Sequence, residues 1–259
     1  MNNIIRDHAL DLFAKNMRLD GRKLEDYRKI TVETGISTRS AEGSSRVKIG
    51  DTEVVAGVKV EMGKPFPDKP NQGSIMVNAE LLPFASPDFE SGPPSIDSIE
   101  LSRVTDRVLR ESGVIDFKKL CITEGEKVWL LLIDIYPVND NGNLFDAAYL
   151  AAIAALQDMK FPKVVEDKIQ YGESSGKGLG LKNIPMSCTI VKVGNHFLVD
   201  PSKEEFDMVD SRLTVGVMPD GNMCALQKGG EKPLNMEDLD KMVDLAVNAC
   251  KGLRKAFEK

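Results

Sequence analysis

EGSSRVKIGDTEVVAGVKV, residues 42–60, carries the reading of the fold. It holds two strand-like runs, SSRVKIG at 44–50 and TEVVAGVKVEM at 52–62. Gly50-Asp51 falls at the join, a dipeptide suited to a two-residue hairpin, so the two runs are expected to pair antiparallel. Outward from this hairpin, ITVETG at 30–35 and GSIMVNAELLP at 73–83 read as further strands. The loop GKPFPDKPNQG at 63–73 separates the last of these from the hairpin.

Helices come later in this half. Asp97 with Glu100 three residues on is a capping-box pattern, and Gly113 supplies a stop. KVWLLLIDIYPV at 127–138 is almost continuously apolar, which predicts a strand covered on both faces. NLFDAAYLAAIAALQDMK follows, with Asn143 as N-cap and Asp146 at the third helical position. It is apolar around most of its circumference and so is expected to be buried. Residues 163–182 turn to charge, glycine and serine and read as an inter-domain link. Strands are then expected at 186–193, 196–200 and 212–218. The last helix is capped by Asn235 and striped by Leu239, Met242, Val243, Ala246, Cys250, Leu253 and Phe257. At the other end, residues 4–17 form an amphipathic helix with Ile5, Ala9, Leu12 and Phe13 on one face. The expected fold class is α+β: an N-terminal helix and arm at 1–28, halves at 29–162 and 186–259, and a link at 163–185.

Composition excludes several functions. The 259 residues are 42% hydrophobic and 29% charged, and no apolar run approaches the ~20 residues of a membrane span. The N-terminus is amphipathic and does not read as a signal peptide, so a cytoplasmic protein is expected. Cys121, Cys188, Cys224 and Cys250 are far apart in sequence, and so are His8 and His196. Neither a metal site nor a thiol or His-based catalytic pair is signalled. A net charge of −6 means that a nucleic-acid site would need a local basic patch.

Three stretches invite chemistry. GESSGKGLG lacks the spacing, the Ser or Thr after lysine, and the following helix of a phosphate loop, and reads as linker. Arg103, Arg107 and Arg110 stand on one helix face, where they could hold phosphate groups. Glu100, Asp106 and Glu111 sit three or four positions away and could instead neutralise them. LVDPSKEEFDMVDSR, residues 198–212, packs five carboxylates that could serve a metal, a proton transfer or only a solvated loop.

Taken together, several segments resemble the RNase PH family of phosphate-dependent exoribonucleases. RLDGRKLEDYRKI (18–30) is similar to the family's R-x-D-G-R opening with its downstream arginine. EGSSRVKIGDTEVVAGVKV, SIELSRVTDRVLRES, VWLLLIDIYPVNDNG, the alanine-rich helix and HFLVDPSKEE match in order and spacing, over roughly residues 18–255.

The resemblance implies an RNase PH-type fold, with a first half like the second domain of ribosomal protein S5. It also implies assembly into hexameric rings. In archaeal exosomes a catalytic and a silent paralogue alternate as a trimer of dimers beneath RNA-binding caps with S1 or KH domains. IELSRVTDRVLRES and NAELLPFASPDFESGPP look like the silent paralogue. Catalytic members carry a D-G-G-T-R phosphate loop before the alanine-rich helix; here NGNLFDA puts Leu144 and Phe145 where threonine and arginine would be. They also carry two aspartates about twelve positions apart. Asp200 matches the first, and Arg212 stands at the second.

The expectation is therefore a chain with no catalytic residue, metal or cofactor of its own, whose vestigial site is Asp200, Arg212, Leu144 and Phe145. Inorganic phosphate and Mg2+ would belong to the catalytic paralogue. Arg103, Arg107 and Arg110 would contact single-stranded RNA, with Lys64 and Lys69 as weaker candidates. The alternatives are an active exoribonuclease in its own right and a purely structural ring subunit.

Overall fold

A computed structural model describes residues 3–166 and 168–257. In chain order it contains α1 (Asn3–Phe13), β1 (Ile30–Thr34), β2 (Gly43–Ile49), β3 (Thr52–Gly63), β4 (Ser74–Ala79) and α2 (Ile96–Glu111). A 3-10 turn (Phe117–Leu120) leads to β5 (Cys121–Thr123), β6 (Lys127–Asn139) and α3 (Leu144–Asp158). Then come β7 (Lys160–Val165), β8 (Lys168–Gly178), β9 (Met186–Val193), β10 (His196–Val199), α4 (Lys203–Phe206), β11 (Ser211–Val217), β12 (Met223–Gly229) and α5 (Met236–Phe257).

The opening hairpin forms as its sequence predicts. Ile49 faces Thr52 across a two-residue turn, and Gly50 takes the positive φ (+58°) that such turns need. The first sheet runs β1-β2-β3-β6-β4, with β5 added beside β6. Every pair is antiparallel except β4, which lies parallel to β6 because α2 and the turn beyond it carry the chain back across the sheet. The second sheet, β10-β9-β11-β12, is antiparallel throughout.

α3 lies between the sheets, against β2 and β3 on one side and β9 on the other. Its residues Phe145 to Leu156 are all buried. The small start of β2 makes this approach possible. A Cβ on Gly43 would sit 2.3 Å from the Ala155 carbonyl, and the Ser45 hydroxyl donates to the Ala151 carbonyl at 2.6 Å. One hydrophobic cluster runs from Val47 and Ile135 through α3 to Cys188, Val215 and Leu253, so the two halves share a core.

Four expectations need correction. β6 alternates buried and half-buried residues rather than being covered on both faces, because α3 packs on only one of them. The predicted link at 163–182 is largely the β7–β8 hairpin. Its glycines, Gly172 (φ +86°) and Gly176 (φ +78°), sit where the ladder register shifts and so hide the strand period. α2 is capped by Ser95, whose side chain accepts from the Ser98 amide at 3.2 Å, not by an Asp97–Glu100 box. α1 is shorter than predicted and buries Ala9 and Phe13 but not Ile5. It packs with Val191, Val193, Leu198 and Met208, so the first residues of the chain cover the second sheet.

Candidate functional site

α2 crosses from one sheet to the other, packed on β4, α3 and β12. Leu101, Val104, Val108 and Leu109 face inward and fix its rotation. That rotation turns Ile96, Ile99, Arg103 and Arg107 outward as one exposed stripe. Neither Arg103 nor Arg107 has a hydrogen bond or ion pair among the described residues.

Arg110 departs from the expectation. Its guanidinium pairs with both Asp106 oxygens (2.7 and 3.1 Å), donates to the Ile75 carbonyl at 3.1 Å and lies over the Phe117 ring at 5.8 Å. It fastens α2 to β4, and its Nε and Nη2 are taken up within the chain. Lys64 and Lys69 are exposed on the β3–β4 loop. No hydrogen bond or ion pair joins either of them to α2 among the described residues.

Leu144, Phe145 and Arg212 come together around a cavity of about 190 Å³ at the N-terminus of α3. The Arg212 guanidinium lies 3.9 Å from the centre of the Phe145 ring, a cation–π contact. Gly229 of β12 also lies close to this guanidinium: a Cβ there would fall 2.3 Å from Nη2. Nη2 donates to Glu100 at 2.5 Å, and Gln227 gives Glu100 a second donor at 3.2 Å. Asp88, Asp97, Glu100 and Asp140 line the cavity against only two cations, Lys203 and Arg212. A phosphate dianion would meet excess negative charge, an apolar helix first turn, and an arginine already engaged.

Asp200 is not in that cavity. It is fully buried in the left-handed conformation (φ +50°), and both its oxygens are occupied. Oδ1 accepts from Arg28 Nη2 at 2.8 Å and Asn143 Nδ2 at 2.9 Å. Oδ2 accepts from the Arg28 amide at 2.8 Å, Arg28 Nε at 2.9 Å and Arg22 Nη1 at 3.0 Å. Burial alone would raise its pKa, but the hydrogen bonds and charge of Arg28 outweigh burial and hold it below the usual carboxylate range. Asp200 therefore ties the N-terminal arm to the mouth of α3. Asn143 also differs from expectation: it occupies the N-cap position in the left-handed conformation (φ +58°) without a capping hydrogen bond. Its amide links Asp200 to Asp146 instead.

The rest of the acidic run is not simply a solvated loop. Glu204 and Asp207 are exposed, but Glu205 is buried in an ion pair with the equally buried Arg18, which also donates to the Val199 carbonyl at 2.7 Å. Asp210 accepts from Arg6, Lys232 and the Gly194 amide. These pairs span up to 204 positions of sequence, so no local spacing could reveal them; the one clue was an arginine-rich opening and an acid-rich run of opposite sign. Among the described residues no group of three or more His, Cys, Asp or Glu is placed to hold a metal ion, and no helix is long and apolar enough to cross a membrane.

Comparison with known proteins agrees with this architecture. Residues 26–162 match the model of 3' exoribonuclease family domain 1, and residues 183–249 that of domain 2. The chain is 46% identical over 258 residues to the exosome complex component Rrp42 of Methanothermobacter thermautotrophicus, covering 99% of this chain and 95% of that one. It is 45% identical over 256 residues to Rrp42 of Archaeoglobus fulgidus, covering 99% and 96%. Among solved structures, it superposes on a chain of the Archaeoglobus fulgidus exosome with RNA bound to the active site at TM-score 0.91 and 45% identity, covering 98% of each. Rice Rrp46 shares the fold at TM-score 0.69 and 18% identity, covering 93% and 99%. With both domains matched in order along an RNase PH-type fold, this chain belongs to the 3' exoribonuclease family.

Proposed function

We propose that this chain is an RNA-binding ring subunit of an archaeal-type exosome, without a phosphorolytic centre of its own. The observation that carries the reading is the cavity at the mouth of α3. Leu144 and Phe145 offer a dianion neither side-chain donor nor charge, and Arg212 lies against the Phe145 ring and close to Gly229 with Glu100 as its partner. A metal or a proton donor needs an available carboxylate, and both oxygens of Asp200 are hydrogen-bonded. The chain's contribution is then binding: Arg103 and Arg107, exposed and unpaired among the described residues, engage the RNA backbone irrespective of sequence. Lys64 and Lys69 add weaker contacts. Phosphate, and any Mg2+, belong to the catalytic RNase PH-like paralogue with which this chain alternates in the ring, capped by S1 or KH subunits in the cytoplasm.

The test is degradation of single-stranded RNA with phosphate by the chain alone, by the chain with its catalytic paralogue, and by that complex carrying Arg103→Glu with Arg107→Glu. Expected are no nucleoside diphosphates from the chain alone, activity from the pair, and weakened binding in the double variant. Phosphorolysis by the chain alone overturns the silent reading. An unchanged double variant leaves only a structural ring subunit.

A further inference from the structure

Two of the three carboxylates that stand beside the α2 arginines are held elsewhere. Glu100 lies three positions before Arg103, a spacing at which side chains of opposite charge meet on a helix. It faces Arg212 of β11 instead, at 2.5 Å, with Gln227 of β12 as second donor at 3.2 Å. Arg212 is itself confined by the Phe145 ring and Gly229. Asp106, three positions after Arg103, is likewise taken by Arg110. The third, Glu111, stands four positions after Arg107 and forms no ion pair with it.

We infer that Arg212 is a positioning residue for RNA binding: by holding Glu100 it keeps the Arg103 guanidinium free for a phosphate. The inference rests on the RNA-contact reading above. If position 212 loses its charge, Glu100 loses its ion pair and Arg103 becomes the cation at helical pairing distance. A phosphate would then have to displace that pair, next to an uncompensated carboxylate. The position where catalytic relatives are expected to carry an acid would thus act here on the charge of the neighbouring helix.

The experiment uses rings reconstituted with the catalytic paralogue and measures Kd for a single-stranded RNA across a salt series. Arg212→Met keeps apolar bulk between Phe145 and Gly229 but removes the charge. Binding should weaken about two- to fivefold, and the slope of log affinity against log salt should shrink by about 0.7, the share of one phosphate contact on a single strand. Adding Glu100→Gln should restore the original affinity, which a merely structural role for Arg212 would not produce. In an Arg103→Ala background, Arg212→Met should have no further effect. If the methionine ring does not assemble, Arg212→Gln, neutral but still able to donate, serves in the same cycle. The inference is overturned if Arg212→Met binds normally, or if the double variant stays as weak as the single. A ring with Arg103→Glu and Arg107→Glu that binds RNA normally defeats the RNA-contact reading itself. Weakening there with no effect at 212 defeats only the inference.

Discussion

Asp200→Asn separates a structural anchor from a leftover of catalysis. Asparagine suits the left-handed backbone at φ +50°, so the substitution changes charge and hydrogen bonding without backbone strain. Asp200 accepts five hydrogen bonds between 2.8 and 3.0 Å, from Arg28, Arg22 and Asn143. An asparagine oxygen can keep those at one end, but its amide meets donors at the other. Arg28, only 10% exposed at its side chain, would lose its counter-charge. Removing one partner from a buried pair costs roughly 3–5 kcal/mol. With an m-value of about 3 kcal/mol/M, the urea midpoint of the purified chain should fall by about 1–1.7 M with m unchanged. Asp207→Asn, in the same run but exposed, should stay within about 0.5 kcal/mol. Because the folded pKa of Asp200 lies below the ordinary value of 3.8, its stabilisation is present above that pH and fades as pH falls through the folded value. The gap between the two proteins should therefore narrow in acid. A midpoint for Asp200→Asn within error of the unmodified chain at neutral pH would refute the anchor.

Three further outcomes are expected. Asp146 is buried, and although Asn143, Tyr27 and Thr189 donate to it, burial dominates and pushes its pKa up to about 6. Its contribution to stability is full below about pH 4 and declines as pH rises through about 6, by about 3 kcal/mol in all; carboxyl NMR that finds it titrating with exposed aspartates would contradict this. Gly229→Ala should cost about 1–3 kcal/mol through collision with the Arg212 guanidinium, and thermal melts should show less than additive loss when Arg212→Ala is added. Glu205→Gln leaves the buried Arg18 uncompensated and should cost roughly 3–5 kcal/mol, while Glu204→Gln should stay near zero in the same denaturant assay.

Much of the fold was legible because local chemistry agreed with tertiary packing. The Gly50-Asp51 hairpin, the wholly apolar α3 and the Asn235-capped α5 each announce their element within a dozen residues, and Asn235 does accept from the Asp238 amide at 2.7 Å. The parallel placement of β4 was hidden because strand direction depends on where α2 lands rather than on the strand's own period. The candidate site was legible by position but not by state. Matching the resembled family's motifs picked out Leu144, Phe145 and Arg212, and the structure gathers them at one cavity. Yet Arg110 looked the same as Arg103 and Arg107 in sequence, and only the packing of β4 makes it a fastener. Asp200 looked like half of a vestigial site and Glu205 like a loop acid until Arg18, Arg22 and Arg28 arrived from the far end of the chain.

On the function proposed above, the contacts of Arg212 with Phe145 and Glu100 also bear on whether a reaction centre could be installed in this chain. An aspartate at 212 alone would set a second carboxylate toward Glu100 and empty the space between ring and strand. A threonine–arginine pair at 144–145 alone would remove the ring on which Arg212 lies and set two guanidinium groups side by side. Each single change is therefore expected to cost stability, the first by facing Glu100 with a like charge and the second by crowding two cations.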